Sequence, residues 1–289
     1  MTGEVVVVAN GSLSTDLVGA AKDIFDSLPV EVTWANTSRA DAGTEVARAA
    51  VANGAGVVIA FGGDGTVRAC AEGVSGTDTC LGVIPAGTGN LLARNLGIPG
   101  DLESSIAVAT GEHTRVLDTG RVNGELFVVI AGAGFDAEVM ADTDDKVKDL
   151  IGSLAYFIEG ARHLSDPSFE ATISVDGADV ARDTWATVLV GNLSRLQGGV
   201  ELFPESSPDD GVLEVLGVSA DTPVDRLTAG FEAVRGDGMG EHLLRAKGRE
   251  VHIELARPTR YELDGDARPP ASVLDFEISP QSLEILSPE

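Results

Sequence analysis

Basic side chains are scarce in this chain. Its 289 residues carry 20 lysines and arginines against 46 aspartates and glutamates, a formal net charge of −26. Nucleic-acid binding draws on cationic contacts to phosphates, so the balance argues against nucleic acid as a partner. An anionic bilayer is repelled as well, except through a local basic patch or bound cations. The acidic excess is spread along the sequence rather than gathered in a tail, as a solvated acidic surface would have it. Cysteine is nearly absent. Cys70 and Cys80 stand ten apart with no partners nearby, which excludes a cysteine metal cluster and suits two buried thiols in a reducing compartment. Aromatics make up only 4%, so the core is built mainly from Val, Ala, Leu and Ile. Long apolar runs are missing too. Stretches such as "VVIAGAGF" fall far short of the roughly 20 residues a membrane helix needs, so any membrane contact is expected to be peripheral. "MTGEVVVVAN" has no basic residue before its apolar run, and no secretory signal is expected. The four histidines (113, 163, 242 and 252) show no ligand or triad spacing.

What is present is a rhythm. Buried-type strands are expected at "EVVVVAN" (4–10), 30–36, 56–61 and 80–85. Helices are expected between and after them at 15–28, 38–54, 66–74 and 89–97, with Thr15 a cap for the first and Gly54 and Gly97 ending the second and fourth. This alternation predicts a mostly parallel sheet covered on both faces. After about residue 112 the rhythm changes. "NG" at 123–124 reads as a hairpin turn, and short β-like stretches parted by Gly, Pro and Asp follow. Helices are expected there only at 149–164 and at roughly 223–235. The reading is an α/β domain over 1–115, a β-rich sandwich domain over 116–274, and a segment over 275–289 returning to the first domain.

Two glycine-rich turns follow neighbouring strands. In "FGGDGTVRA", Gly62, Gly63 and Gly65 remove side chains where the third strand must turn sharply and where a ligand can approach the backbone. Thr66 is placed to cap the next helix or to bond a phosphate. A bare carboxylate repels phosphate, so Asp64 makes sense as a Mg²⁺ holder or as the orienter of a nucleophile, or else as a simple helix cap. In "IPAGTGNLLAR", Gly87, Thr88 and Gly89 form a turn whose amides can face an anion. Asn90 can cap the helix, and Arg94 can reach a phosphate or form an ion pair. Two such turns at the carboxyl ends of neighbouring parallel strands define a ligand crevice. The lysine of a P-loop is absent, and so is the dinucleotide fingerprint after the first strand.

At these residues the sequence resembles the diacylglycerol kinase catalytic-domain family, and more closely its bacterial lipid kinases, related to sphingosine kinases. "GGDGT" (62–66) and "PAGTGNLLAR" (85–94) carry the likeness. It continues through "VLDTGRVNGELFVVIAGAGFDAEV", "LIGSLAYFIEG", "VLVGN", "GGVELFPESSPDDGVLEVLGV" and "YELDGD", and so spans nearly the whole chain. The resemblance implies an NAD kinase/diacylglycerol kinase-like fold: a three-layer α/β domain with a mostly parallel sheet, then a β-rich sandwich, with ATP and substrate meeting in the cleft.

The resemblance also implies an ATP- and Mg²⁺-dependent transfer of the γ-phosphoryl group to a lipid hydroxyl, with diacylglycerol as the expected acceptor. Asn10 and the two loops (Gly62, Gly63, Asp64, Gly65, Thr66, Gly87, Thr88, Asn90 and Arg94) would serve the nucleotide. Asp64 and Asp118 would serve the metal or phosphates, and Asp210 a structural Mg²⁺. The "DGD" at 264–266 stands where the family has a glutamate at its last position. The general base would then be Asp266, one methylene shorter, with Asp264 as the alternative and Asp64 as a third catalytic carboxylate. A cytoplasmic enzyme with transient peripheral contact to a lipid substrate at a membrane surface is expected, and a homodimer is compatible with the family. Leu150, Leu154 and Phe157 share one helical face, as core packing or a lipid groove would require. Two readings stay open beside this one. One is an NAD kinase-like enzyme with a soluble substrate. The other is a non-catalytic nucleotide- or lipid-binding regulator, motivated by Asp266 and by "VANGSLST", where the family has Asn-Pro.

Overall fold

The computed structural model of the chain describes residues 4–38, 41–134, 168–195, 201–219 and 242–289. The helices expected at 149–164 and 223–235, with Leu150, Leu154, Phe157 and His163, lie outside the described residues. Two compact units emerge. The first holds residues 1–118 and 281–289, and the second holds 119–280.

In the first unit the apolar runs become the parallel strands β1 (Glu4–Ala9), β2 (Val32–Asn36), β3 (Ala55–Gly62) and β4 (Cys80–Pro85). Their order is β2-β1-β3-β4. A strand near the chain's end adds to β4 through Ile285, which pairs in parallel with Leu81. Seven of the eight residues of β3 are buried, because a parallel strand covered on both faces has no polar side to show. The helices are α1 (Thr15–Asp26), α2 (Thr44–Ala52), α3 (Asp64–Val74), α4 (Leu91–Asn95) and α5 (Leu102–Ala109). On α1, Ala21 and Phe25 fall four apart and face the core, where Phe25 meets Trp34 edge-on at 5.6 Å.

Several helix boundaries differ from the sequence reading. Ser14, not Thr15, caps α1, with its hydroxyl accepting the N–H of Leu17 at 3.2 Å. A cap must keep an extended backbone, and Ser14 does so while Thr15 is already helical. Helix α2 starts only at Thr44, because Gly43 has φ +131°. Helix α5 was not anticipated, although Asp101 caps it through the N–H of Ser104 at 2.9 Å.

The second unit is β-rich. Its strands are β5 (Thr114–Val122), which begins in the first unit, then β6 (Glu125–Phe127), β7 (Ile130–Ala133), β8 (Phe169–Val175), β9 (Ala178–Trp185), β10 (Thr187–Gly191), β11 (Leu213–Val218), β12 (Leu243–Gly248), β13 (Glu250–Leu263) and β14 (Asp266–Leu286). Asn123 and Gly124 both have positive φ (50° and 86°) and close the β5–β6 hairpin. The order β12-β11-β10-β7-β13-β14 is antiparallel throughout, with β8 and β9 added to β13. A stretch parted by proline is expected to break into two strands at Pro258. The structure has one strand, β13, whose register to β14 slips between Glu254 and Thr259. A proline cannot donate to a ladder, so it sits where the ladder is already broken. The core gathers Phe127, Phe169, Trp185, Ile253 and Phe276.

Candidate nucleotide loops and the carboxylate turn

The strand order of the first unit sets the place of the two glycine loops. Chain connections leave β1 and β3 toward opposite sides, so the loops at their carboxyl ends part and leave a crevice. Asn10 ends β1 there. Its Nδ2 donates to the Thr66 hydroxyl at 2.8 Å, and its Oδ1 accepts the N–H and hydroxyl of Ser12 at 2.9 and 2.7 Å. Thr66 is therefore neither a helix cap nor turned outward. It is the third residue of α3, buried, with its hydroxyl against Asn10. Gly65 lies in the same first helical turn.

Asp64 opens α3 and reaches across to the second loop. Its Oδ2 accepts the N–H of Asn90 at 2.8 Å and its Oδ1 that of Leu91 at 2.5 Å. It caps α4, not its own helix. The capping place expected for Asn90 is thus taken by Asp64. Asn90 has a left-handed backbone (φ 49°), and its side chain turns back to Gly87, accepting the N–H at 2.9 Å and donating to the C=O at 2.7 Å. Arg94 is exposed and its Nε donates to Gly89 O at 2.8 Å. The loops meet without side chains. A Cβ on Gly87 would lie 2.5 Å from Gly63 Cα, and one on Gly89 would lie 2.5 Å from Asp64 Oδ2. Gly87 and Thr88 face solvent at the rim.

Of the other expected carboxylates, Asp118, Asp210 and Asp264 each have backbone partners of their own. Asp118, 1% exposed, accepts the N–H of Gln281 at 2.7 Å. Gln281 holds φ +50° inside β14, so one oxygen of the carboxylate supports a left-handed residue of the strand. Neither Gln281 nor that bond has a sequence signal, because the donor is a backbone amide 163 residues away. In the second unit Asp210 makes a local turn, accepting the N–H groups of Ser207 and Val212 at 3.2 and 3.1 Å. Asp264 is 3% exposed and bonded to three backbone amides, while Asp266 is half-buried, begins β14 and pairs with Leu263. Among the described residues no three His, Cys, Asp or Glu side chains gather closely enough to hold a metal ion. A single carboxylate such as Asp64 is nevertheless suited to Mg²⁺, which keeps several waters and binds through one or two carboxylates plus phosphate.

The comparisons agree with this division. The chain matches the family model of the diacylglycerol kinase catalytic domain over residues 4–122. It matches that of the YegS C-terminal NAD kinase beta sandwich-like domain over residues 129–287. A Pseudomonas aeruginosa protein named a probable lipid kinase, YegS-like, is 32% identical over 280 residues, covering 94% of this chain and 88% of the relative. A diacylglycerol kinase of Bacillus subtilis is 33% identical over 243 residues, covering 81% and 78%. The fold matches the crystal structure of a diacylglycerol kinase from Bacillus anthracis with a TM-score of 0.73 at 22% identity, covering 99% and 97% of the two chains. An ATP-bound NAD kinase from Archaeoglobus fulgidus shares the fold at a TM-score of 0.56 and 12% identity, covering 99% and 94%. The chain belongs to the diacylglycerol kinase catalytic-domain family, among its YegS-like lipid kinases.

Proposed function

We propose that this protein is an ATP-dependent lipid kinase that transfers the γ-phosphoryl group of ATP to the hydroxyl of diacylglycerol. The observation that supports it best is the pair of glycine loops stapled by Asp64. Asp64 opens α3 and ties the second loop to it, so a hard oxygen lies beside the α3 start, whose dipole favours the negative charge of a polyphosphate with its cation. Asn10, Gly62, Gly63, Gly65, Thr66, Gly87, Thr88, Asn90 and Arg94 build and border that cradle. Asp64 is the residue to hold Mg²⁺, which when bound neutralises phosphate charge. Asp118 is the second carboxylate for the metal or phosphates and Asp210 that of a structural Mg²⁺, and each also accepts backbone N–H groups that fix its place.

The base is Asp266. The reaction needs a carboxylate to take the proton of the lipid hydroxyl as its oxygen bonds the γ-phosphorus and the bond to the ADP oxygen breaks. Asp264 already accepts three amide N–H groups, which suits an anchor better than a proton acceptor. Lipid contact is peripheral in this reading. No helix among the described residues is long and apolar enough to cross a membrane.

The test is radiolabelled γ-phosphate transfer from Mg–ATP to a panel of lipids in mixed micelles, with NAD⁺ as a soluble acceptor and Asp64→Asn beside the wild type. Labelled diacylglycerol made only by the wild type supports the reading. Label in NAD⁺ alone sinks it. ATP bound without any product points to the regulator reading or to an acceptor outside the panel, and Asp266→Glu separates the two by restoring the reach of the base.

A further inference from the structure

The peptides that join β6 to β7 are held from both sides by distant side chains. On the N–H side stands Asp264. Its Oδ2 accepts the N–H of Val128 at 2.9 Å, and its Oδ1 accepts those of Val129 and Ile130 at 2.8 and 3.1 Å. Its own N–H donates to Ile130 O at 2.8 Å. On the C=O side stands Asn192, 1% exposed. Its Nδ2 donates to Val128 O at 3.2 Å, and its backbone N–H donates to Val129 O at 2.9 Å. The Ser206 hydroxyl in turn donates to Asn192 O at 3.0 Å. Both polar groups of Val128, Val129 and Ile130 are thus engaged, with a buried carboxylate as the common acceptor. Three backbone N–H groups converge on the two oxygens of one side chain, so these peptides cannot shift without moving Asp264.

The turn so fixed is Asp264–Gly265. Both residues have positive φ (48° and 88°), and Leu263 and Asp266 form the pair that closes it. Asp266 is therefore the first residue beyond an anchored two-residue turn, and its backbone goes where the turn goes. A general base must come within about 2.6–3.2 Å of its proton. Aspartate has only two side-chain torsions with which to correct a displaced backbone, and glutamate has three.

We propose that Asp264 is a positioning residue for phosphoryl transfer: by clamping residues 128–130 it fixes the turn and with it the reach of the Asp266 carboxylate. The inference rests on the lipid-kinase reading with Asp266 as base.

The experiment compares the wild type, Asp264→Asn, Asp266→Glu and the double variant in two ways: steady-state transfer to diacylglycerol, and amide hydrogen exchange of 128–130 and 265–267. A misplacement of about 1 Å costs on the order of 100-fold. Asp264→Asn is expected to lower kcat by about that factor with KM for ATP within about twofold. With glutamate at 266 the same change is expected to cost about tenfold or less, because the longer chain absorbs the displacement. Exchange at 128–130 and at the turn is expected to quicken in both. An equal loss in the two backgrounds overturns the proposal, as does an unchanged kcat. If Asp264→Asn does not fold, Asn192→Ser loosens the same peptides from the C=O side and is judged by the same contrast. Should the wild type label NAD⁺ and no lipid, the kinase reading fails by itself. The exchange arm still stands, and unaltered protection in Asp264→Asn then overturns the clamp.

Discussion

Gly63 and Gly87 lie backbone against backbone. A Cβ on Gly87 would stand 2.5 Å from Gly63 Cα, whereas one on Gly63 would stand 3.2 Å from Gly87 Cα. Neither neighbour is a side chain that can rotate away, so an alanine must push the two loops apart. Overpacking of this kind costs about 1–3 kcal/mol. Gly87→Ala is expected to weaken Mg–ATP binding by about tenfold or more, and Gly63→Ala by less. Isothermal titration decides it. Wild-type affinity in Gly87→Ala would remove the loop crossing from the nucleotide site.

The carboxylate of Asp64 does two jobs in the proposed site, and variants can separate them. Asp64→Ala leaves the amides of Asn90 and Leu91 without their acceptor and is expected to destabilise the protein by about 1–3 kcal/mol. Asp64→Asn keeps one carbonyl acceptor and is expected to lose less. Both variants are expected to lose the Mg²⁺ dependence of ATP binding. Chemical denaturation gives the first quantity, and ATP titration with and without Mg²⁺ gives the second. An Asp64→Asn protein that still responds to Mg²⁺ as the wild type does would place the metal elsewhere.

Asp118 and Gln281 form a similar clamp inside the first unit. Removing the buried acceptor with Asp118→Ala is expected to cost on the order of 1–3 kcal/mol. Gln281→Gly is expected to be neutral or stabilising by up to about 1 kcal/mol, since the left-handed backbone at φ +50° favours glycine while the freer unfolded chain offsets part of the gain. Urea unfolding of both variants measures this. A strongly destabilised Gln281→Gly would mean that its side chain, not its amide, holds the backbone there.

Stability is expected to fall at alkaline pH because of the buried thiol of Cys70. Burial foremost, and then the charge of Asp41, pushes Cys70 from 9.0 up to about 12. Below pH 9 both states keep the proton and nothing changes. Above it the unfolded chain releases the proton while the folded protein holds it, so unfolding is favoured by up to about 1.4 kcal/mol per pH unit until about pH 12. Cys70→Ala is expected to flatten this slope between pH 9 and 11 in denaturant titrations. In native protein at pH 8, iodoacetamide is expected to reach Cys70 only through unfolding. Fast labelling without unfolding would contradict the burial.

The β1–α1–β2–α2–β3–α3–β4 alternation was legible because parallel strands bury both faces and must be apolar throughout, as in residues 55–62. The "NG" turn at 123–124 was legible because few residues accept two positive φ angles in succession. Local pattern misled at helix starts. Thr15, Thr66 and Asn90 all have the chemistry of a cap, but a cap is chosen by backbone geometry and by what stands opposite. At α4 the choice fell on Asp64, 26 residues before Asn90. The strands β9 and β12 were missed, since alternation with few β-formers, as in "ADVARDTW", gives little signal.

By itself the sequence determined which residues could carry the chemistry: two glycine loops, a handful of aspartates, an acidic surface and almost no thiols or aromatics. Those are matters of composition and spacing, and a string contains them. Only the tertiary structure decided which backbone each aspartate holds. Asp64 joins two loops, Asp118 supports a left-handed residue of β14, Asp210 closes a turn and Asp264 gathers three amides, leaving Asp266 as the proposed base. The bonds named are all to backbone N–H groups, identical in nearly every residue, so folding alone selects which of them a carboxylate meets.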